Sequence, residues 1–573
     1  MPINAPSLKK LFLNLVIGLL VFYLLGAQFR EIGFHADDYG LIRHGQCKST
    51  SDIKRIFKHG DIMHSACFSE ENLYPLGRPS CLEVIYRPLL LLIMGAEFKA
   101  FGLNPYVTHL IHVGFHTITT LVLFNVLAYL TIPSLAALCS LFFAFHSSLK
   151  DYFFWQCYIQ NSLEGCFLVL ICFFIYLFYR RRQTRWLVSA STTFLLALLL
   201  RETLIFLPLL VILGWFVLSQ INDQKLHFKD FLLKYSPYMI IPPILYTLLR
   251  CWAYPLSSHI TRIGIKGFKP AEPTGLFLRN KFYDLLTYFF DLIGIKWIPS
   301  GFTILKFIIL ILIGGTIFIV WQRSYPHRRL ILMFLCSCIL LLSWPSLVFF
   351  HSSRYLYLPT FFLAILLAIL LHPFITNGRR RGMILLSLGF FVLIQGLITV
   401  KTMALWCTYN HKEMLVYQNL ANLSHTSNKK LITLGIPIPM LGTGNCSAPV
   451  IMSARTNEYH HELPPQAAIG NNVSIANLFK SFLGQDLLRI KSLDFRREED
   501  VLTIQTISPD SLWFDEDDLM NNSLGKVEIT EHVGKKILAF KIHLDGGSQL
   551  GGWDDKILLL GWKHEQGTFE QLN

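Results

Sequence analysis

The stretch LEGCFLVLICFFIYLFYRRRQTR, Leu163 to Arg185, decides the fold class. Sixteen residues, Leu163–Phe178, carry one acid near their start and otherwise read as apolar. They run straight into a basic cluster at 180–185. A bilayer core needs roughly 20 apolar residues per helical span, and basic residues collect at the cytoplasmic ends of spans. One such segment is suggestive. Repeated along a chain, it describes a polytopic α-helical membrane protein.

The repetition is there. The chain has 573 residues, of which 53% are hydrophobic and 15% charged, and its mean hydropathy is +0.45. A soluble protein of this size carries more charge. Apolar runs occur at Leu11–Ala27, Tyr106–Leu130, Ser134–Phe145, Leu163–Phe178, Leu187–Leu200, Ile205–Leu218 and Leu232–Trp252, then at Phe302–Trp321, Leu330–Leu347, Tyr357–Leu371 and Met383–Val400. That predicts about eleven spans. The clusters at 180–185, 323–329 and 379–381 then fall on one side, and the N-terminus falls on that cytoplasmic side too. The formal net charge of +14 follows from this topology, so nucleic acid is excluded as a partner. External loops are expected at 28–105 and 253–299; the cations of the second (Arg262, Lys266, Lys269, Arg279, Lys281) run against the rule unless an anionic substrate lies there. Arg87–Phe101 is short and carries Glu97 and Lys99, which suits an amphipathic helix in the outer interface. The first run has no small-residue cleavage site after it and is expected to stay as a span.

Beyond residue 400 the pattern changes. Alternating stretches such as KVEIT, KILAFKIHL and KILLLGW, parted by turn residues, predict a mixed α/β or mostly β extracytoplasmic domain over 401–573, after a membrane domain over 1–400. Of 12 cysteines, Cys139, Cys172, Cys336 and Cys338 lie in apolar runs and act as small hydrophobes. Cys47, Cys67 and Cys81, and Cys407 with Cys446, leave disulfides open.

Chemistry-bearing residues gather at the expected outer ends of the spans. HADDYG places Asp37 and Asp38 just past the first span. HSSLKD holds His146, Lys150 and Asp151; RET holds Arg201 and Glu202; HSSRY holds His351, Arg354 and Tyr355; Arg87 precedes the interfacial helix. Singly, each has a bland reading as a turn former, a snorkelling cation or a member of the aromatic belt. Together, acids and cations around one mouth mark a site, because ionisable groups are costly near hydrocarbon. Arginine and lysine suit phosphate oxygens, and a carboxylate can take the proton of an attacking hydroxyl or amine. The implied reaction is displacement at a sugar carbon with a lipid phosphate as leaving group.

ADDYG, YRPLLLL with FGLNPYVTHLIHVGFHT, FFAFHSSLKDYFFW, RETLIFLP and SSRYLYLP, in that order, resemble the GT-C superfamily of polyprenyl-phosphate-sugar-dependent glycosyltransferases, in particular the protein O-mannosyltransferase-like members. The resemblance covers roughly residues 1–400. It implies a GT-C-like membrane fold and a catalytic base at Asp37 with Asp38 beside it. It also implies donor-phosphate binding by Arg354, Arg201, Arg87, Lys150 and Tyr355, with Asp151, Glu202, His146 and His351 completing the site. Where relatives carry His-Pro, this chain has His146–Ser147. No 34-residue repeat follows the membrane part. The partners implied are a polyprenyl-phosphate-linked sugar, an acceptor glycan, lipid or protein, and the bilayer. No cofactor is expected; a divalent metal is the alternative raised by the adjacent acids, and two neighbouring Asp supply few of the oxygens it needs. The expected location is a bacterial inner membrane, with the C-terminal domain periplasmic. The competing readings are a transporter of lipid-linked saccharide, which would place charge near mid-bilayer, and a non-catalytic scaffold.

Overall fold

The computed structural model describes residues 8–32, 38, 41–42, 45, 47, 49–58, 86–102, 104–153, 159–221, 228–254, 285–295, 303–323, 325–345, 355–376 and 381–427, together with eight strands between 430 and 571. The chain forms two compact units. The first comprises Met1–Ile32, Gly45–Ile62 and Tyr74–Cys407; the second comprises Gly33–His44, Met63–Leu73 and Thr408–Asn573.

The first unit is helical. Its helices are α1 Leu8–Gly26, α2 Thr50–Lys58, α3 Pro88–Phe101, α4 Pro105–Leu130, α5 Pro133–Ala144, α6 Ile159–Arg181, α7 Arg185–Leu200, α8 Leu207–Ile221, α9 Phe228–Ala253, α10 Thr303–Arg323, α11 Pro326–Leu342, α12 Tyr357–Thr376 and α13 Arg381–Ser427. A further helical stretch covers 285–292. Proline opens α3, α4, α5 and α11, where its missing N–H is needed by no helical bond. The Asn104 side chain caps α4 by accepting the Val107 N–H. Gly102, at φ 63°, closes α3 in the left-handed region.

Among the described residues six helices are long and apolar enough to cross a membrane: Lys10–Arg30, Pro105–Leu130, Ile159–Arg181, Glu202–Gln220, Tyr357–Thr376 and Arg381–Ala404. The eleven apolar runs of the sequence do not all reach that length. Helices α5 and α7 have 12 and 16 residues, while α9 holds Pro237, Pro242 and Pro243 within its 26 residues. Large apolar side chains such as Leu11, Phe12, Ile311 and Leu386 stand outward on these helices, as lipid-facing residues must.

Side-chain contacts sort the helix ends. His116 of α4 meets Ala144 at the end of α5 and Tyr357 at the start of α12. Phe29, just past α1, packs with tilted rings against His109 of α4 and Phe153. Arg87 reaches Gln160 at the start of α6 and Glu202 just past α7. So the heads of α3, α6 and α12 and the tails of α1, α5 and α7 lie toward the side from which α4 enters, the tail of α5 and the head of α12 meeting α4 at His116, well inside that helix. Helix α3 therefore starts on the same side from which α4 enters the bundle, and it does not cross to the other side. Its 14 residues (~21 Å) fit the interfacial placement. In the membrane interior, Asn14 of α1 and Asn125 of α4 exchange amide hydrogen bonds at 2.7 and 3.4 Å, each meeting the other's polar demand.

Gly45 packs on α3 so closely that a Cβ there would lie 2.0 Å from the Leu91 carbonyl oxygen and 2.9 Å from the Gly95 nitrogen, both backbone atoms. Backbone cannot step aside as a side chain can. Gly45→Ala is expected to cost roughly 1–3 kcal/mol and to lower the melting temperature of the full chain. An unchanged melting curve would refute this close approach.

In the second unit two sheets form. One has the order β2-β1-β7-β8, from β1 Lys430–Pro437, β2 Ala468–Asn471, β7 Ile557–Lys563 and β8 Thr568–Gln571; β1 pairs in parallel with β2 and β7, and β7 antiparallel with β8. The other is antiparallel, β3-β4-β6-β5, from β3 Leu493–Glu498, β4 Val501–Thr506, β5 Gly525–Val533 and β6 Lys536–Leu544. Helix α13 runs on without a break past Cys407, where the first unit ends.

Candidate active site

At the end of the bundle defined above, charge is buried. Arg87 is the residue just ahead of Pro88, at φ −137° and ψ 61°, and is 6% exposed. Its guanidinium makes a two-pronged contact with Glu202: Nε donates to Oε2 at 2.9 Å and Nη2 to Oε1 at 2.5 Å. Nη1 donates to Gln160 Oε1 at 2.9 Å. The planar fork of arginine matches a carboxylate in this way, and lysine could not replace it. Burial opposes the Arg87 charge, but the neighbouring Glu202 carboxylate outweighs it, so the guanidinium holds its proton more tightly than an ordinary arginine.

A second pair lies beside the first. Arg201 Nη1 is 3.6 Å from Glu164 Oε2, and both residues are almost fully buried. The Arg201 guanidinium also lies over the Tyr355 ring, 4.9 Å from its centroid, a cation–π contact. Arg201 is extended (φ −165°) between the end of α7 and the 3₁₀ turn Glu202–Phe206. The chain changes from extended to 3₁₀ between these two residues; Arg201 faces Glu164 and Glu202 faces Arg87. Two arginines and two acids balance formally, which is how charge survives without water.

Four residues expected from the sequence are thus brought together: Arg87, Arg201, Glu202 and Tyr355. Two members were missed. Glu164 lies inside an apolar run, and Gln160 stands just before it. The signal was available, since an acid within a span is a site marker by default. The guanidinium of Arg87, expected to meet donor phosphate, is engaged with Glu202 and Gln160.

His146 belongs to another cluster of the first unit. Its ring is buried edge-on against Phe142, with centroids 5.0 Å apart, and its Nδ1 accepts the Ser148 N–H at 3.3 Å. The 3₁₀ turn Ser147–Tyr152 carries Lys150 and Asp151, whose side chains lie outside the described residues. Asp37, His351 and Arg354 lie outside them as well. Asp38 is fully buried and falls in the second unit. Cys47 is a free thiol. Among the described residues no group of three or more His, Cys, Asp or Glu is placed to hold a metal ion.

No protein-family model matches the chain, and no curated protein matches it. Two solved structures of ArnT from Cupriavidus metallidurans align with it at 12% identity, over 86% of this chain and 97% of theirs. One is bound to undecaprenyl phosphate, with a TM-score of 0.38; the other is in the apo state, with a TM-score of 0.40.

Proposed function

We propose that this chain is an integral membrane glycosyltransferase. It moves a sugar from a polyprenyl-phosphate carrier to an acceptor on the extracytoplasmic side, by an inverting displacement. The observation that carries this reading is the doubly paired cluster Arg87–Glu202 and Arg201–Glu164, assembled at one end of the bundle from three distant parts of the sequence. Buried ionisable groups are costly, and a purely structural bundle end has no need of four. Its position at a bundle end, where a lipid-borne phosphate can enter sideways from the bilayer, favours a transferase over a transporter with a mid-bilayer site.

In this reading the acceptor hydroxyl attacks the sugar C1. The bond from C1 to the phosphate oxygen breaks, and the lipid phosphate leaves with that electron pair. The hydroxyl proton passes to the Asp37 carboxylate. Arg201, Arg354 and Lys150 stabilise charge growing on the phosphate, and Tyr355 steadies Arg201 from its ring face. Arg87 holds Glu202 and Gln160 in place and supplies positive field to the same region. The resemblance described above, which is to O-mannosyltransferase-like members, makes a hexose the first donor sugar to test. The membrane is proposed to be a bacterial inner membrane, with a cytoplasmic N-terminus and a periplasmic C-terminal domain.

Native mass spectrometry of the purified full chain tests the reading. Bound polyprenyl phosphate or polyprenyl-phosphate sugar is expected, either co-purified or after adding undecaprenyl-phosphate mannose. Bulk phospholipid alone, even with the donor in excess, would overturn it and favour the scaffold.

A further inference from the structure

In the apolar part of helix α13 the polar side chains of Gln395 and Thr399 are fully buried. Gln395 reaches into the HSSLKD segment, and Thr399 reaches Phe145 just before it. Gln395 Oε1 accepts the Ser147 N–H at 3.0 Å, while its Nε2 donates to the Gly294 carbonyl at 2.5 Å. One turn further on, Thr399 Oγ1 donates to the Phe145 carbonyl at 2.9 Å. Ser148 Oγ in turn donates to the Asp291 carbonyl at 2.7 Å. Gly294 is at φ 74°, and a Cβ there would lie 2.9 Å from Gln395 Nε2, so the close approach needs glycine. One carboxamide therefore ties together three segments separated by 248 and 101 residues of sequence.

This arrangement is more than polar satisfaction. The bonded groups are backbone atoms that close α5 and open the turn Ser147–Tyr152, and that turn carries Lys150 and Asp151. A helix end left buried needs partners for its free carbonyls, and here α13 supplies them from a fixed side chain. We infer that Gln395 and Thr399 are positioning residues. They set the place of the Ser147–Tyr152 turn, and through it the geometry in which Lys150 and Asp151 meet the donor. The inference rests on the transferase reading for its catalytic half; the tie itself does not.

The test uses the full chain in three variants: Gln395→Met, Thr399→Val and the conservative Thr399→Ser. Hydrogen exchange of the 145–152 amides reads the tie. Release of undecaprenyl phosphate from undecaprenyl-phosphate mannose or undecaprenyl-phosphate glucose reads turnover. Gln395→Met and Thr399→Val are expected to speed exchange at least tenfold. They should lower kcat at least tenfold, with KM for the donor within about twofold, and Thr399→Ser should restore both readouts to near wild type. Exchange as slow as wild type in Gln395→Met would overturn the tie. Fast exchange with wild-type kcat would overturn the positioning role. A wild type that turns over neither donor would overturn the transferase reading and the catalytic half of this inference, while the exchange result would still decide the tie.

Discussion

Glu202→Ala is expected to destabilise the membrane unit. The substitution leaves the Arg87 guanidinium buried with its main partner gone. Breaking a buried pair from one side costs about 3–5 kcal/mol, because the remaining ion is uncompensated. The Glu202 side chain is 19% exposed and that of Arg87 is 7%, so water can reach part of the pair and the lower end of the range applies. Thermal unfolding of the full chain in detergent measures this, and a wild-type melting curve would show that the pair does not support the fold. The double variant Arg87→Met with Glu202→Met is the more telling partner. Removing both charges leaves no buried ion, and such replacements are often neutral or stabilising. It should therefore melt well above Glu202→Ala, held back only by the Gln160 carbonyl oxygen, which loses its donor and costs about 1 kcal/mol. The same double variant separates folding from function. If it folds and still binds undecaprenyl phosphate as wild type does, the pair is structural only. If it folds and binds at least tenfold more weakly, the pair supports the lipid-phosphate site.

The sequence made some of this legible, for identifiable reasons. Apolar runs between basic clusters gave the helices, because a helix in lipid must be apolar along its whole length. The alternating stretches KVEIT, KILAFKIHL and KILLLGW fall on β5, β6 and β7, since side chains in a strand alternate with period two. Prolines at 88, 105, 133 and 326 mark helix starts. What could not be read was pairing. Arg87 and Glu202 are 115 residues apart, and nothing local says that the arginine meets an acid before it can meet phosphate. Glu164 and Gln395 were passed over for the opposite reason: each sits in a run whose apolar neighbours dominate any average, although a lone polar residue in such a run has to find a partner. Gln395 finds two, and Glu164 lies beside Arg201. The short runs that became α5 and α7 show the remaining limit, since an apolar stretch of 12 to 16 residues is compatible both with a buried helix and with part of a span.

Asp37→Asn is expected to abolish sugar transfer while leaving folding and binding of the lipid donor intact. The amide keeps the size and most of the hydrogen-bonding shape of the acid, but it cannot take the proton of an attacking hydroxyl. Removing a general base costs about 10²–10⁴-fold in rate, and the loss should fall on kcat, with KM for the donor little changed. The neighbouring acid supplies the control. Asp38 is fully buried and grouped with the second unit, whereas Asp37 lies outside the described residues. A fully buried acid serves the fold, so Asp38→Asn should lower the melting temperature of the full chain. Asp37→Asn should leave it within about 1–2 °C, since an amide of the same size replaces the carboxylate. The two variants thus predict opposite pairings of stability and rate. Normal turnover by Asp37→Asn would remove it as the base. If Asp38→Asn instead kept its melting temperature and lost its turnover, the proton acceptor would move one residue along the chain, and the transfer reaction itself would stand.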